Sequence, residues 1–120
     1  MQFLTISLIA LGAVLQPAAA KCYGSGDNWN NQGAAREWVR HACSDQGGMF
    51  TGFYDRLQSK EMCVEGNFFQ VKNENGNQGF DLDNNDCIMR LYNEISCGKG
   101  GENHVAGWFF RGLVPQKSLF

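Results

Sequence analysis

Five cysteines, Cys22, Cys43, Cys63, Cys87 and Cys97, are the most reactive side chains of this sequence, and their spacing limits what they can do. Zinc sites draw on close pairs such as Cys-x-x-Cys. Here neighbouring cysteines stand ten to twenty-four residues apart, so no such pair exists and no metal is expected. A thiolate nucleophile needs a depressed pKa and an imidazole beside it. His41 falls on a helical stretch and His104 ahead of the last strand, and spacing brings neither near a thiol. Cross-linking is the chemistry that remains: four of the five cysteines supply two disulfides and one thiol is left over. Connectivity stays open, except that Cys87 and Cys97 are poor partners, because ten helical residues hold them roughly 15 Å apart.

Other groups of reactive type dissolve into local structure. The run Asp81-Leu82-Asp83-Asn84-Asn85-Asp86 places oxygens at the first, third and fifth positions of a calcium loop. It lacks the glycine at the sixth position and the bidentate Glu at the twelfth, where Asp86 and Tyr92 stand, so it reads as a helix cap. Gly98-Lys99-Gly100-Gly101 lacks the spacing and the Ser or Thr of a phosphate loop and reads as a helix stop. The twelve acidic side chains are scattered as a solvated surface would scatter them. No catalytic residue and no cofactor is expected. Aromatic faces that stack on sugars or proteins are the remaining binding chemistry. Trp29 and Tyr23 sit in polar loop sequence and Trp108 on the last strand, which makes these three the ligand-facing candidates, whereas Trp38 and Tyr92 fall on apolar helix stripes and read as core.

These groups must be positioned by a small set of elements. A short extended segment over residues 22–27 is followed by Asn-rich sequence that caps a helix over residues 34–43, with Ala34, Ala35, Trp38, Val39 and Ala42 as its apolar stripe. Runs over residues 49–54, 60–64, 68–73 and 78–82 alternate as strands, with Met62 and Val64 on one face and Cys63 on the other. The Asn-Gly pair in Asn73-Glu74-Asn75-Gly76-Asn77 predicts a hairpin between the last two of these and an antiparallel meander. A second helix begins at Cys87 with the stripe Ile88, Leu91, Tyr92 and Ile95, and one strand spans residues 105–114. The order β-α-β-β-β-β-α-β predicts an α+β sandwich: an antiparallel sheet of five or six strands with two helices on one face, stapled by disulfides.

Residues 1–20 carry no charged side chain, run apolar from Phe3 to Leu15 and close on Pro17-Ala18-Ala19-Ala20. This is the pattern of a secretory signal peptide, and its apolar run of about 13 residues is short of the roughly 20 that cross a bilayer. Residues 21–120 then form one secreted, extracellular domain, monomeric or joined as a disulfide dimer through the odd cysteine, with no membrane span after cleavage. A formal charge of −2 gives no electrostatic reason to bind nucleic acid.

Lys21-Cys22-Tyr23-Gly24-Ser25-Gly26, Ala34-Ala35-Arg36 leading to Cys43, Asp86-Cys87, Cys97 with Gly100-Gly101, and Gly107-Trp108-Phe109-Phe110-Arg111 form a set in order. The set resembles a family of small cysteine-rich secreted proteins of filamentous ascomycetes, many from plant pathogens. That family is distantly similar to fungal killer toxins, to the necrosis-inducing-factor domain and to a mushroom glycan-binding protein. The resemblance implies an effector-like, non-enzymatic role in virulence, in the apoplast or at a host interface, binding a host protein or a surface glycan. It implies as alternatives a lectin-like carbohydrate-binding module or a killer-toxin-like antimicrobial. Members of the family close with a Pro-Asn turn and a sixth cysteine, whereas here Pro115 is followed by Gln116-Lys117-Ser118-Leu119-Phe120. One cysteine is therefore free, pairs between chains, or has lost its partner to a misassigned exon.

Overall fold

The computed structural model describes residues 21–44 and 46–115, so the leader read over residues 1–20 and the departure at residues 116–120 lie outside the described residues. In chain order the elements are β1 (Lys21–Cys22), α1 (Gln32–Ala42), β2 (Gly52–Tyr54), β3 (Ser59–Val64), β4 (Asn67–Asn73), β5 (Phe80–Leu82), α2 (Asn84–Ser96), β6 (Gly101–Val105) and β7 (Trp108–Leu113). Five strands pair antiparallel in the order β1-β6-β7-β4-β3, and β2 pairs with β5 as a separate two-stranded sheet. The fold is α+β, as the element order predicts.

Each helix starts where an Asx side chain can hold free amides. Asn31 Oδ1 accepts from the Ala34 amide, and one Asp83 carboxylate oxygen accepts from the Asn85 and Asp86 amides. α2 packs on β6 and β7, and α1 packs on α2. The face of the sheet beneath them carries Phe69, Val71 and Phe110, which join Val39, Leu91 and Ile95 in one core. Trp29 closes this core, its ring stacked on Phe69 at 5.7 Å and its Nε1 donating to the Cys97 carbonyl at 2.7 Å.

The disulfides fix the same layer. Cys43–Cys87 ties the end of α1 to the start of α2 across 5.7 Å between Cα atoms, and Cys22–Cys97 ties β1 to the end of α2 across 5.2 Å. Cys63 is the free, exposed thiol, on the side of β3 away from the core.

Three local expectations give way. The Asn-Gly segment makes no hairpin, because β4 is already paired on both edges, with β3 and β7. Asn75 instead folds the segment into a loop, its side-chain oxygen accepting from the Asn77 and Gln78 amides. Buried Asn73 anchors that loop, its Nδ2 donating to the Tyr54, Asp55 and Gln78 carbonyls. The strand expected over residues 105–114 is the end of a hairpin, with β6 and β7 joined by Ala106-Gly107. Trp38, expected in the core, is 36% exposed with its Nε1 on Glu65 at 3.2 Å. The Cys43 bridge and the contact with α2 enclose only the narrower stripe Ala35, Val39 and Ala42.

Both tight hairpins use the same turn. Glu65-Gly66 and Ala106-Gly107 hold φ of 50° and 81°, and of 53° and 83°, at their two central residues. That is the type I′ signature, whose twist matches the strands. Left-handed backbone costs an alanine about 1 kcal/mol, and Asn tolerates it better. Ala106→Asn should therefore raise stability by about 0.5–1 kcal/mol, read as a higher urea midpoint at unchanged slope. An unaltered or lower midpoint would mean that the turn stores no such cost.

Candidate functional site

The alternation that buries one face of the sheet leaves the other without a buried side chain. On β4 and β7, Phe69, Val71, Phe110 and Gly112 point inward, while Phe68, Gln70, Phe109, Arg111 and Leu113 stand on the opposite face at partial exposure. Register then sets the neighbours on that open face: Lys21 beside Glu102, Glu102 beside Arg111, His104 beside Phe109, and Cys63 beside Phe68.

These neighbours are linked. His104 Nδ1 lies 2.9 Å from Glu74 Oε1, and its Nε2 lies 4.0 Å from Glu102. The Tyr23 hydroxyl donates to Glu102 at 2.8 Å and accepts from Arg111 Nε at 3.1 Å. Two rings flank this row. Phe109 lies 4.7 Å from the His104 ring, and the Arg111 guanidinium sits 5.8 Å from the Phe68 centroid. Burial and the hydrogen bond to Glu102 push the Tyr23 phenol up to about 12, with Arg111 opposing. It therefore remains a neutral donor at physiological pH, and it orients Arg111 instead of attacking anything.

One end of the row opens into a cavity of about 320 Å³ lined by Tyr23, the Gly24-Ser25-Gly26 loop, Lys99, Arg111, Leu113 and Val114. The chain builds it by pinning the loop at both ends. The Tyr23 amide donates to the Gly100 carbonyl at 2.9 Å, and Asp27 bridges to Val114. Between these points Gly26 turns the backbone at φ +112°, where a side chain would be strained. Lys99 arrives from the loop after α2, held by the Gly100 amide on the Cys97 carbonyl at 2.9 Å.

Beneath β6 and β7 lies a second polar feature. Glu94 is fully buried on α2, and neither carboxyl oxygen has a hydrogen-bond partner among the described residues. Gly101 and Gly112, directly paired across the two strands, make its room. A Cβ at Gly101 would lie 3.1 Å from Glu94 Oε1, and one at Gly112 would lie 3.3 Å from Glu94 Cβ. Burial, with the nearby negative charge of Glu102, pushes this carboxyl up to about 8.

The three aromatic candidates separate. Tyr23 is on the open face and lines the cavity. Trp29 is a core residue, 8% exposed, because the polar loop around it folds its ring down onto Phe69. Trp108 is half-buried on the inner face, edge-on to Tyr54 at 5.0 Å, and borders a smaller cavity of about 110 Å³ with Asp86 and Arg90. Sequence reasoning missed Arg111 and Lys99 as cavity groups, and it missed Glu94. The fully buried stripe of α2 is Cys87, Leu91, Glu94 and Ile95, while Ile88 and Tyr92 of the predicted stripe pack against the core at partial burial. Among the described residues no three His, Cys, Asp or Glu side chains gather as a metal site, and no helix is long and apolar enough to cross a membrane. The chain matches no family model, and a search of curated proteins finds no relative.

Proposed function

We propose that this chain is a non-enzymatic, disulfide-stabilised binding protein that works outside the cell, effector-like in the sense its motifs suggest, and engages a surface glycan on the open face of its sheet. The observation that carries this reading is the face itself: Phe68 and Phe109, each with a polar or charged side chain against its ring, next to the Tyr23, Glu102 and Arg111 row. Aromatic faces interleaved with fixed hydrogen-bonding groups suit the apolar faces and hydroxyl edges of saccharides. The neutral Tyr23 phenol favours recognition over chemistry at this place.

A glycan array probed with the oxidised protein, with a reduced sample as control, tests the reading. Selective binding should be lost on reduction. It should weaken at least about ten-fold, about 1.4 kcal/mol, in Phe109→Ala, and should survive Trp38→Ala, which alters an exposed ring on the helical side. A blank array from folded protein, or equal loss in both variants, counts against a glycan on this face and directs the search to a protein partner or to growth inhibition of other microbes.

A further inference from the structure

Two stretches at opposite ends of the chain, Tyr23-Gly24-Ser25-Gly26 and Arg111 to Val114, meet at the cavity on the edge of the open face. Its charge is one-sided. Arg111 spends only Nε on Tyr23, and neither Arg111 nor Lys99 is paired with a carboxylate among the described residues. The acids that border this corner lie outside the lining: Glu102 accepts the Tyr23 hydroxyl, and Asp27 follows Gly26 at the bridge to Val114. The guanidinium nitrogens left over form a planar fork suited to two oxygens of one anionic group, and the Lys99 ammonium supplies a point charge from the facing loop. Leu113 and Val114 give the same cavity an apolar wall, and its volume of about 320 Å³ suits a ligand the size of one sugar ring.

We infer that this cavity takes an oxyanion carried on a saccharide, a carboxylate or a sulfate ester, with Arg111 as the bidentate contact, Lys99 as the second cation, and Tyr23 as the residue that positions Arg111. The inference rests on the glycan reading of the open face and names the class of glycan. Because both cations are partly exposed, binding should weaken as salt screens them.

The test is an NMR titration of the oxidised protein with three probes: digalacturonate, galactose 6-sulfate and galactose. The expected result is saturable shifts at the amides of residues 23–26 and 111–114 with one or both charged probes, with galactose at least ten-fold weaker. The carboxylate and sulfate arms tell which oxyanion is preferred. Arg111→Gln should weaken the charged probe ten-fold or more and Lys99→Gln several-fold. Lys99 lies in a loop outside the sheet, so its variant keeps the test usable should Arg111→Gln fold poorly. Galactose binding as tightly as the charged sugars, with Lys99→Gln and Arg111→Gln unaffected, overturns the oxyanion inference and leaves the glycan reading standing. Shifts confined to the Phe109 and His104 end do the same. No response of any open-face amide to any saccharide, here or on the array, overturns both.

Discussion

Cys43→Ala with Cys87→Ala should lower stability by about 4 kcal/mol, and Cys22→Ala with Cys97→Ala by about the same amount. The loops are long, with partners 44 and 75 positions apart in sequence, and in the chain-entropy account a longer loop restrains the unfolded chain more. Since domains of this size are stable by only about 5–15 kcal/mol, losing both bridges should leave the protein largely unfolded at 37 °C. The two pairs should differ in what else they disturb. Cys43–Cys87 is buried between α1 and α2, so its loss opens a gap in the helical layer. Cys22–Cys97 holds the two-residue strand β1, and with it Tyr23 and the wall of the cavity, so its loss should abolish ligand binding before it abolishes folding. Urea titrations of each double variant measure the first difference, and saccharide titration of the Cys22/Cys97 variant measures the second. A Cys22/Cys97 variant that keeps full affinity would show that the cavity does not depend on the bridge. Mutating Cys63, which is unpaired and exposed, should leave the urea midpoint unchanged.

The helices were legible because their signals are local: Asn and Asp ahead of an apolar stripe, Gly after it. The strands were legible where period-two alternation is clean, as in β3 with Met62 and Val64 inward and Cys63 outward. Pairing was not. The Asn-Gly turn signal is sound chemistry for a hairpin, but β4 has one partner on each edge, and β7 takes the edge the hairpin would have used. Nothing between residues 73 and 82 encodes that competition. The turn that is used, Ala106-Gly107, carries a weaker residue at its first position, and the aromatic run Trp108-Phe109-Phe110 beyond it masked the break between β6 and β7. The site was less legible for the same reason. Tyr23 and Arg111 are 88 residues apart, and only the β1-β6-β7 order brings them together. Trp29 in a polar loop looked exposed because loop composition does not reveal which side chain is folded back onto the core. Glu94 has a sequence signal in retrospect: it is three residues after Leu91, and the paired glycines 101 and 112 leave room that its side chain fills.

Glu94 should contribute most to stability in acid. Its pKa is about 8 in the folded chain and near 4.5 when unfolded, so between these values the native state holds a proton that the unfolded state has released. Unfolding then gives up a proton, and stability falls as pH rises, by about 1.4 kcal/mol per unit at most. The loss should reach about 3 kcal/mol by neutral pH relative to pH 4.5. Below about 4.5 both states are protonated and the contribution is complete, and above about 8 both are ionised and no further loss accrues. Glu94→Gln keeps the shape and removes the titration. Its stability should stay nearly level from pH 4.5 to 8 and should exceed that of the wild type at neutral pH, by up to about 3 kcal/mol. Urea midpoints at closely spaced pH values measure this, and parallel slopes for the two proteins would refute it. The same ionisation reaches the open face. Glu102 lies close enough for its charge to oppose that of Glu94, and Glu102 holds the hydroxyl that orients Arg111. A neutral Glu94 therefore adds no second negative charge beside Glu102. The protonation that stabilises the fold and the charge balance that suits an anionic ligand both favour the acid side of neutrality.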